Sequence, residues 1–458
     1  MRRILLTSIN FYPYSFGGGP KYVLTLAHAL RKKDYEVGIV TYLQNQWNNE
    51  SVGEGNLSRY VYDGLEVQAI SIGPTAITQG QKYAMNHPLL RSLVQTAVES
   101  FAPSILHTNG MEAASYMVAA KLGIPVITTV HHSGVACPAG ALVYHDDSIC
   151  PFAMHYSVCV PCCGYQRIPE SRLAGYLLGS MPRWFYEPYG KWIDSIRGLP
   201  YLMRALHYPW LVEQEMTQSS ALLGASTPLI VPSRAIQDLL RRNGVPPGRI
   251  NLIPHGVDHF QRVPLPDLGQ RPLKFGFVGQ IERIKGIHVL FAALEKIRTP
   301  EACELHLYGD GTRSDFYCSL LERYKGRVKV FAHGLVGVNQ LEAAYANIDV
   351  LVVPSLAHEA FGLVVNEALA VGRPVIVSDS GALPELVVHG KYGLVVKRNN
   401  ISALADAMNN CVEHPDYVHD MAAEIPAIKG ADEYATEIEE LYRSLLDPTH
   451  AAATIHEA

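Results

Sequence analysis

Two doubly wound α/β domains are what this 458-residue chain predicts, on three observations. Short continuous Val/Ile/Leu runs recur along it, segments of helical period separate them, and the second half repeats the plan of the first. At roughly 150 residues per domain, the length also suggests two or three domains. Hydrophobic residues make up 48%, well clear of disordered compositions, so real cores can be buried. Lys and Arg number 38 against 43 Asp and Glu, a net −5, which leaves no global basic footprint for nucleic acid.

The elements follow in order. Ile4 to Thr7 reads as a strand, followed by a loop holding Gly17-Gly18-Gly19 and a helix opened by Pro20. Val23, Leu26, Ala27 and Leu30 give that helix one buried face. Val37 to Tyr42, Val67 to Ile72, Ile105 to Thr108 and Val126 to Val130 are the next buried strands. Strands of the second half are Lys274 to Val278, Glu304 to Tyr308, Val328 to Phe331, Val350 to Val353, Val375 to Val377 and Leu394 to Val396. Helices are expected over Ile287 to Ile297 and Gly362 to Ala370. A junction near Asn251-Leu252-Ile253-Pro254-His255-Gly256 makes two Rossmann-like domains, over 1–260 and 261–431, with a last helix and tail over 432–458. Ligands of such sheets bind beyond the carboxyl ends of the strands, so a cleft between the domains is the expected site.

No run after Met1-Arg2-Arg3 is long enough for a secretory signal, and no stretch is long and apolar enough to span a bilayer. Eight cysteines in so long a chain then read as thiols or metal ligands rather than disulfides. The expected location is cytoplasmic, including the inner face of the membrane.

The stretch from Pro354 to Ala368 carries the most chemistry. A strand ends in a loop bearing Glu359, and a helix begins near Gly362 and carries Glu367. Unpaired N–H groups at a helix start favour an anion such as phosphate. Carboxylates accept from sugar or ribose hydroxyls, so the arrangement fits a sugar nucleotide. The structural alternative makes Glu359 a helix cap and Glu367 a solvated face residue.

The Glu359/Glu367 spacing resembles the signature of family 4 retaining glycosyltransferases of the GT-B fold, the glycosyl transferases group 1. Further likenesses follow in family order: Pro13 with Gly18-Gly19, Val130-His131, Ile253 to Asp258, Phe277-Val278-Gly279 with Lys285-Gly286, Gly309-Asp310-Gly311, and Ser380 to Glu385. The resemblance implies a transferase moving a sugar from a nucleotide-sugar donor to a glycan, lipid-linked or small-molecule acceptor, with retention at the anomeric carbon. It also implies roles. Glu359 and His131 contact the donor sugar, and Glu367 contacts the ribose. Lys285 neutralises the diphosphate with the backbone amides of Phe361, Gly362 and Leu363. Gly18 and Gly19 admit the phosphate to the backbone. The family often has Arg after the glycine of Phe-Val-Gly; here it is Gln280, with Arg283 a displaced substitute. His132 stands where many relatives have Asp. No Asp-x-Asp motif closes a strand, so no metal cofactor is expected for catalysis. Two rivals share these features: a GT-B nucleotide-sugar epimerase and a non-catalytic sugar-nucleotide-binding protein.

Residues of about 137–212 break the strand pattern and read as an insertion in the first domain. Cys137, Cys150, Cys159 and Cys162, with Cys159 and Cys162 in a Cys-x₂-Cys knuckle, suit a structural zinc, against the alternative of reduced buried thiols. Arg183 to Trp192 and Arg197 to Trp210 mix basic and aromatic residues. The expectation is a helical lid packing its aromatics on the first domain; a peripheral membrane contact is the alternative.

Overall fold

Parallel strands with no polar face need cover on both sides, and the chain supplies it twice. The computed structural model describes residues 2–44, 55–73, 76–144, 148–167, 172–194 and 201–446. The chain divides into two compact units: one runs to Pro254 and resumes at Asp432, the other spans His255–Ala431.

The first unit holds β1 (Arg3–Ile9), β2 (Glu36–Tyr42), β3 (Asn56–Tyr62), β4 (Leu65–Ser71), β5 (Ile105–Thr108), β6 (Val126–Thr129), β7 (Leu229–Val231) and β8 (Ile250–Leu252). They form one sheet in the order β3-β4-β2-β1-β5-β6-β7-β8, parallel except for β3 on β4. The second unit holds β9 (Leu273–Val278), β10 (Cys303–Tyr308), β11 (Lys329–Gly334), β12 (Val350–Val353), β13 (Val375–Ser378) and β14 (Gly393–Val396). Their order is β11-β10-β9-β12-β13-β14, all parallel. Strand order reverses direction between β1 and β5 in one sheet and between β9 and β12 in the other. The loops leaving those strands therefore diverge and open a crevice at the sheet edge.

Three strands escape sequence pattern. β3 is an edge strand whose side chains alternate toward solvent, and β7 and β8 have three residues each. The unit boundary lies after Pro254 rather than near 260. Val257 donates its N–H to the Lys429 carbonyl and accepts from Ala431 N–H, which ties 255–260 into the second unit. Helix Gly18–Arg31 starts two residues before Pro20, with Gly17 as its extended N-cap. Helix Ile287–Leu294 stops short of Ile297.

Between β6 and β7, where the sequence suggests an insertion over about 137–212, lie the helices Tyr156–Arg167, Arg172–Gly179, Arg183–Asp194 and Tyr201–Gly224. Among the described residues of this region, Val160, Cys163, Tyr208 and Val212 form one apolar cluster. Asp194 anchors it by accepting from Thr78 Oγ1 (2.5 Å) and Gly80 N–H (2.9 Å) and pairing with His207 (3.2 Å). The expected packing of its aromatics is corrected in part. Tyr186 and Ile193 are buried, but Trp184 is 75% exposed and Tyr189 and Trp192 are exposed as well. The helix carries too many large rings for the single face it buries. Arg197 and the tail beyond 446 lie outside the described residues.

The helix Ala431–Leu446 packs on the first sheet through a buried polar chain. Tyr434 Oη meets Tyr22 Oη at 2.7 Å, Tyr22 Oη meets Thr129 Oγ1 at 3.1 Å, and His107 bridges Thr129 (2.7 Å) and Tyr442 (2.6 Å). Burial lowers the pKa of His107 to about 3. The unfolded chain protonates this residue below about 6.5, so the unfolded state binds more protons between those limits. Its contribution to stability is complete above about pH 6.5 and is lost as pH falls, by at most about 1.4 kcal/mol per pH unit. Urea denaturation of wild type and His107→Asn across pH 4–7 checks this: the variant starts less stable and shows a shallower acid slope.

Candidate active site

The loops that leave β9 and β12 meet at the point where the second sheet reverses its strand order. After β9 the chain makes a tight turn over Arg283–Lys285 and passes through Gly286 at φ +76°. A Cβ on Gly286 would lie 1.9 Å from the Pro354 carbonyl oxygen, so only glycine lets this turn approach the loop after β12. The Ile284 carbonyl accepts from Leu356 N–H at 2.9 Å and locks the two loops together. This contact brings Lys285 to Glu359, with Nζ 2.8 Å from Oε1.

The loop after β13 braces the other side. Ala382 N–H donates to the Glu359 carbonyl at 2.8 Å, and Ser380 and Ser378 hydroxyls donate to the carbonyls of Ala357 (2.6 Å) and Ser355 (2.7 Å). Gly381, at φ +58°, runs so close that a Cβ there would lie 2.2 Å from the Glu359 carbonyl oxygen. Ser355 Oγ donates to the Glu359 carboxylate at 2.6 Å. Burial pushes the Glu359 carboxyl up, but the Lys285 ammonium and the hydrogen bonds from Lys285 and Ser355 outweigh it and hold the pKa below the usual range. Glu359 is a partly buried, ionised acceptor beside a fixed cation. It does not cap the helix that follows: Gly362 is the N-cap, at φ +93°, with no side-chain cap bond.

Helix Leu363–Val371 begins directly after that glycine, so the amides of Phe361, Gly362 and Leu363 lie at its positive end. The His255 ring packs edge-on to Phe361 with centroids 5.0 Å apart. Glu367, one turn into the helix, is 3% exposed and accepts from Tyr345 Oη at 2.7 Å, which excludes a solvated role. Tyr345 is held in turn by Arg373, a fully buried guanidinium that donates to the carbonyls of Tyr345 (3.2 Å), Ala346 (3.1 Å) and Val263 (2.6 Å). Gln280 and Arg283 are exposed on the loop after β9. A cation, a helix start and two carboxylates at one sheet edge suit an anionic ligand that also carries hydroxyls.

In the first unit, Gly18 and Gly19 open the helix after β1, and a Cβ on Gly19 would meet nothing within 4 Å. His131 follows β6. Its Nε2 lies 2.8 Å from Asn109 Oδ1, and the Tyr22 ring stands edge-on to it with centroids 4.3 Å apart. His132 beside it is exposed. Cys137, Cys150, Cys159 and Cys162 line one cavity in the inserted region, and all eight cysteines are free thiols. As the side chains stand, no three His, Cys, Asp or Glu groups among the described residues are poised to hold an ion.

Sequence reasoning singled out Glu359, Lys285 and Glu367 but not the groups that set them. Ser355 and Asn109 each follow a strand end, a position that was a usable signal. Tyr345 and Arg373 sit in ordinary helical and loop sequence and gave none.

Comparison with known families finds the model described as "Glycosyl transferases group 1" over residues 266–427 and the "Glycosyl transferase 4-like domain" over 17–156. A glycogen synthase of Mycobacterium tuberculosis is 24% identical over 430 residues, 90% of this chain and 86% of the relative. A D-inositol 3-phosphate glycosyltransferase of Paenarthrobacter aurescens is 31% identical over 222 residues, 46% of this chain and 53% of the relative. Among solved structures, sucrose-phosphate synthase from Thermosynechococcus elongatus superposes with a TM-score of 0.69 at 21% identity, covering 97% of this chain and 99% of that one. Anabaena HepE in complex with UDP and glucose superposes with a TM-score of 0.63 at 15% identity, over 97% and 100%.

Tyr345→Phe removes the hydroxyl that donates to a buried carboxylate. The expected cost is about 1–3 kcal/mol, read by urea denaturation.

Proposed function

The chain belongs to the group 1 glycosyl transferases and has the GT-B fold, and on that premise we propose a retaining transfer of a sugar from a nucleoside-diphosphate donor to an acceptor hydroxyl. The observation that carries the reading is the Lys285–Glu359 pair beside the start of helix Leu363–Val371, at the strand-order reversal. A diphosphate takes Lys285 and the amides of Phe361, Gly362 and Leu363. The ionised Glu359 accepts from the hydroxyls of the sugar being transferred, and the buried Glu367 accepts from the ribose. In the first unit we assign His131 and the open backbone at Gly18 and Gly19 to the substrate, and Gln280 and Arg283 to the donor.

The step breaks the bond from the anomeric carbon to the diphosphate oxygen and forms one to the acceptor oxygen on the same face. The acceptor proton passes to the departing diphosphate. Negative charge grows on that leaving group, so a fixed cation and helix amides act mainly at the transition state, each contributing a few kcal/mol. No protein nucleophile is needed, and Glu359, held ionised, is suited to stabilising the positive charge that develops on the sugar.

A lipid-borne acceptor is the second element of the proposal, and one observation favours it. Helices Arg172–Gly179 and Arg183–Asp194 expose Leu173, Leu177, Trp184, Tyr189 and Trp192 together with the basic Arg172 and Lys191. Exposed aromatics flanked by cations suit the headgroup layer of a membrane. No helix among the described residues is long and apolar enough to cross one. With every cysteine a free thiol, we place the enzyme in the cytoplasm, working at the inner membrane face.

Four measurements test this. Incubation with UDP-, GDP- and ADP-sugars should give release of one nucleoside diphosphate that depends on acceptor, with the product keeping the donor's anomeric configuration by NMR. An altered sugar nucleotide formed without acceptor would instead mean an epimerase. Glu359→Gln and Lys285→Ala should stay folded and each lose about 10²–10³ in turnover. A nucleoside diphosphate at about 100-fold excess over its Kd should stabilise wild type by roughly 2.7 kcal/mol and Lys285→Ala by less. Cosedimentation with phosphatidylglycerol-containing vesicles should weaken about tenfold or more in the Trp184→Ser/Trp192→Ser double variant.

A further inference from the structure

We infer that Cys137, Cys150, Cys159 and Cys162 form a zinc site that organises the inserted region of the first unit. Five of the eight cysteines, these four and Cys163, line one cavity from three separate pieces of chain. Cys137 opens a tight turn in which Gly140 N–H returns to the Cys137 carbonyl at 2.7 Å and Gly140 takes φ +84°. A short hairpin follows, with Val143 bridged antiparallel to Ile149 and Cys150 N–H bonded to the Leu142 carbonyl at 2.8 Å. The hairpin thereby sets Cys150 back beside the turn. Cys159 and Cys162 stand three residues apart, on one face at the start of helix Tyr156–Arg167. Gln166 of that helix clasps the hairpin through the Val143 carbonyl (2.6 Å) and also approaches Cys162 Sγ (3.6 Å).

Backbone donors lie close to two of the sulfurs. Backbone amides of Leu142, Ala139 and Gly140 all donate toward Cys137 Sγ, and that of His155 donates toward Cys159 Sγ. A neutral thiol is a poor acceptor and gains little from such donors. Four thiolates around Zn²⁺ carry a net charge of −2, which amide donors and a helix N-terminus offset.

The sulfurs do not yet surround a common point as the side chains stand. Zinc binding would have to draw them in to Zn–S distances of about 2.3 Å. The need for a metal is structural. The apolar cluster of Val160, Cys163, Tyr208 and Val212, with Ala139 packed against it, shares Cys163 and Ala139 with the cavity lining, and a metal there would cross-link the turn, the hairpin and the helix. The active-site carboxylates and Lys285 belong to the other unit.

The test uses the full chain purified under reducing conditions without chelator. Elemental analysis should find about one zinc per chain, released when the thiols are titrated with a mercurial and read with a colorimetric zinc dye. Cobalt exchanged for zinc should give the thiolate charge-transfer and tetrahedral ligand-field bands of a sulfur-rich site. Cys162→Ser should lower the bound zinc at least about tenfold, while Cys318→Ser, at an exposed thiol remote in sequence, should leave it unchanged. Should Cys162→Ser fail to fold, the wild-type stoichiometry and the cobalt spectrum still decide. A wild-type protein without metal, or a brown protein carrying iron and sulfide, would overturn the zinc assignment.

Discussion

An ionised carboxylate can be drawn out of water only where a cation and fixed dipoles replace the solvent it loses, and the second unit meets that condition at the partly buried Glu359. Lys285 and Ser355 supply the charge and the hydroxyl, yet neither would reach the carboxylate without the backbone contacts beneath them. Gly286 lets the loop after β9 touch Pro354, and Gly381 lets the loop after β13 touch Glu359 itself. Each is a point where backbone meets backbone with no room for a side chain. The geometry of the reacting groups thus depends on three neighbouring strand ends held at close quarters.

A second tier repeats the principle at Glu367. Its carboxylate is buried against Tyr345, whose own carbonyl is gripped by the buried Arg373. Arg373 spends its donors on backbone carbonyls alone, so a charged residue serves there as a strut between helix, loop and strand. In the first unit the corresponding strut is neutral. His107, kept uncharged by burial, joins Thr129 to Tyr442 and so secures the final helix to the sheet. Next to that chain of hydroxyls, Tyr22 presents its ring edge to His131. The docking of the last helix and the setting of His131 therefore share one side chain.

The inserted region follows a different economy. Its helices bury Tyr186, Ile193, Tyr208 and Val212 and leave Trp184 and its neighbours in solvent. Asp194 fastens it to the rest of the unit through Thr78, Gly80 and His207. The converging thiols and the exposed aromatics are the features on which the proposed zinc site and membrane contact rest.

Much of this was legible beforehand. Buried parallel strands announce themselves as Val/Ile runs because both faces are covered, so β1, β2, β5, β9, β10, β12 and β13 could be read within a residue or two. Edge strand β3 and the three-residue β7 and β8 could not, since one side faces solvent or the run is too short to show a period. Glu359, Lys285 and Glu367 were visible as residue types beside strand ends and a helix start. Sequence could not show that Lys285 and Glu359 pair, because 74 residues separate them and only the adjacency of β9 and β12 joins their loops. Nor could it show Glu367 buried or the aromatics of Arg183–Asp194 exposed, because burial depends on what packs against a face. Composition and period determined which elements this chain forms; strand order, through the contacts it permits, decided which of their residues meet.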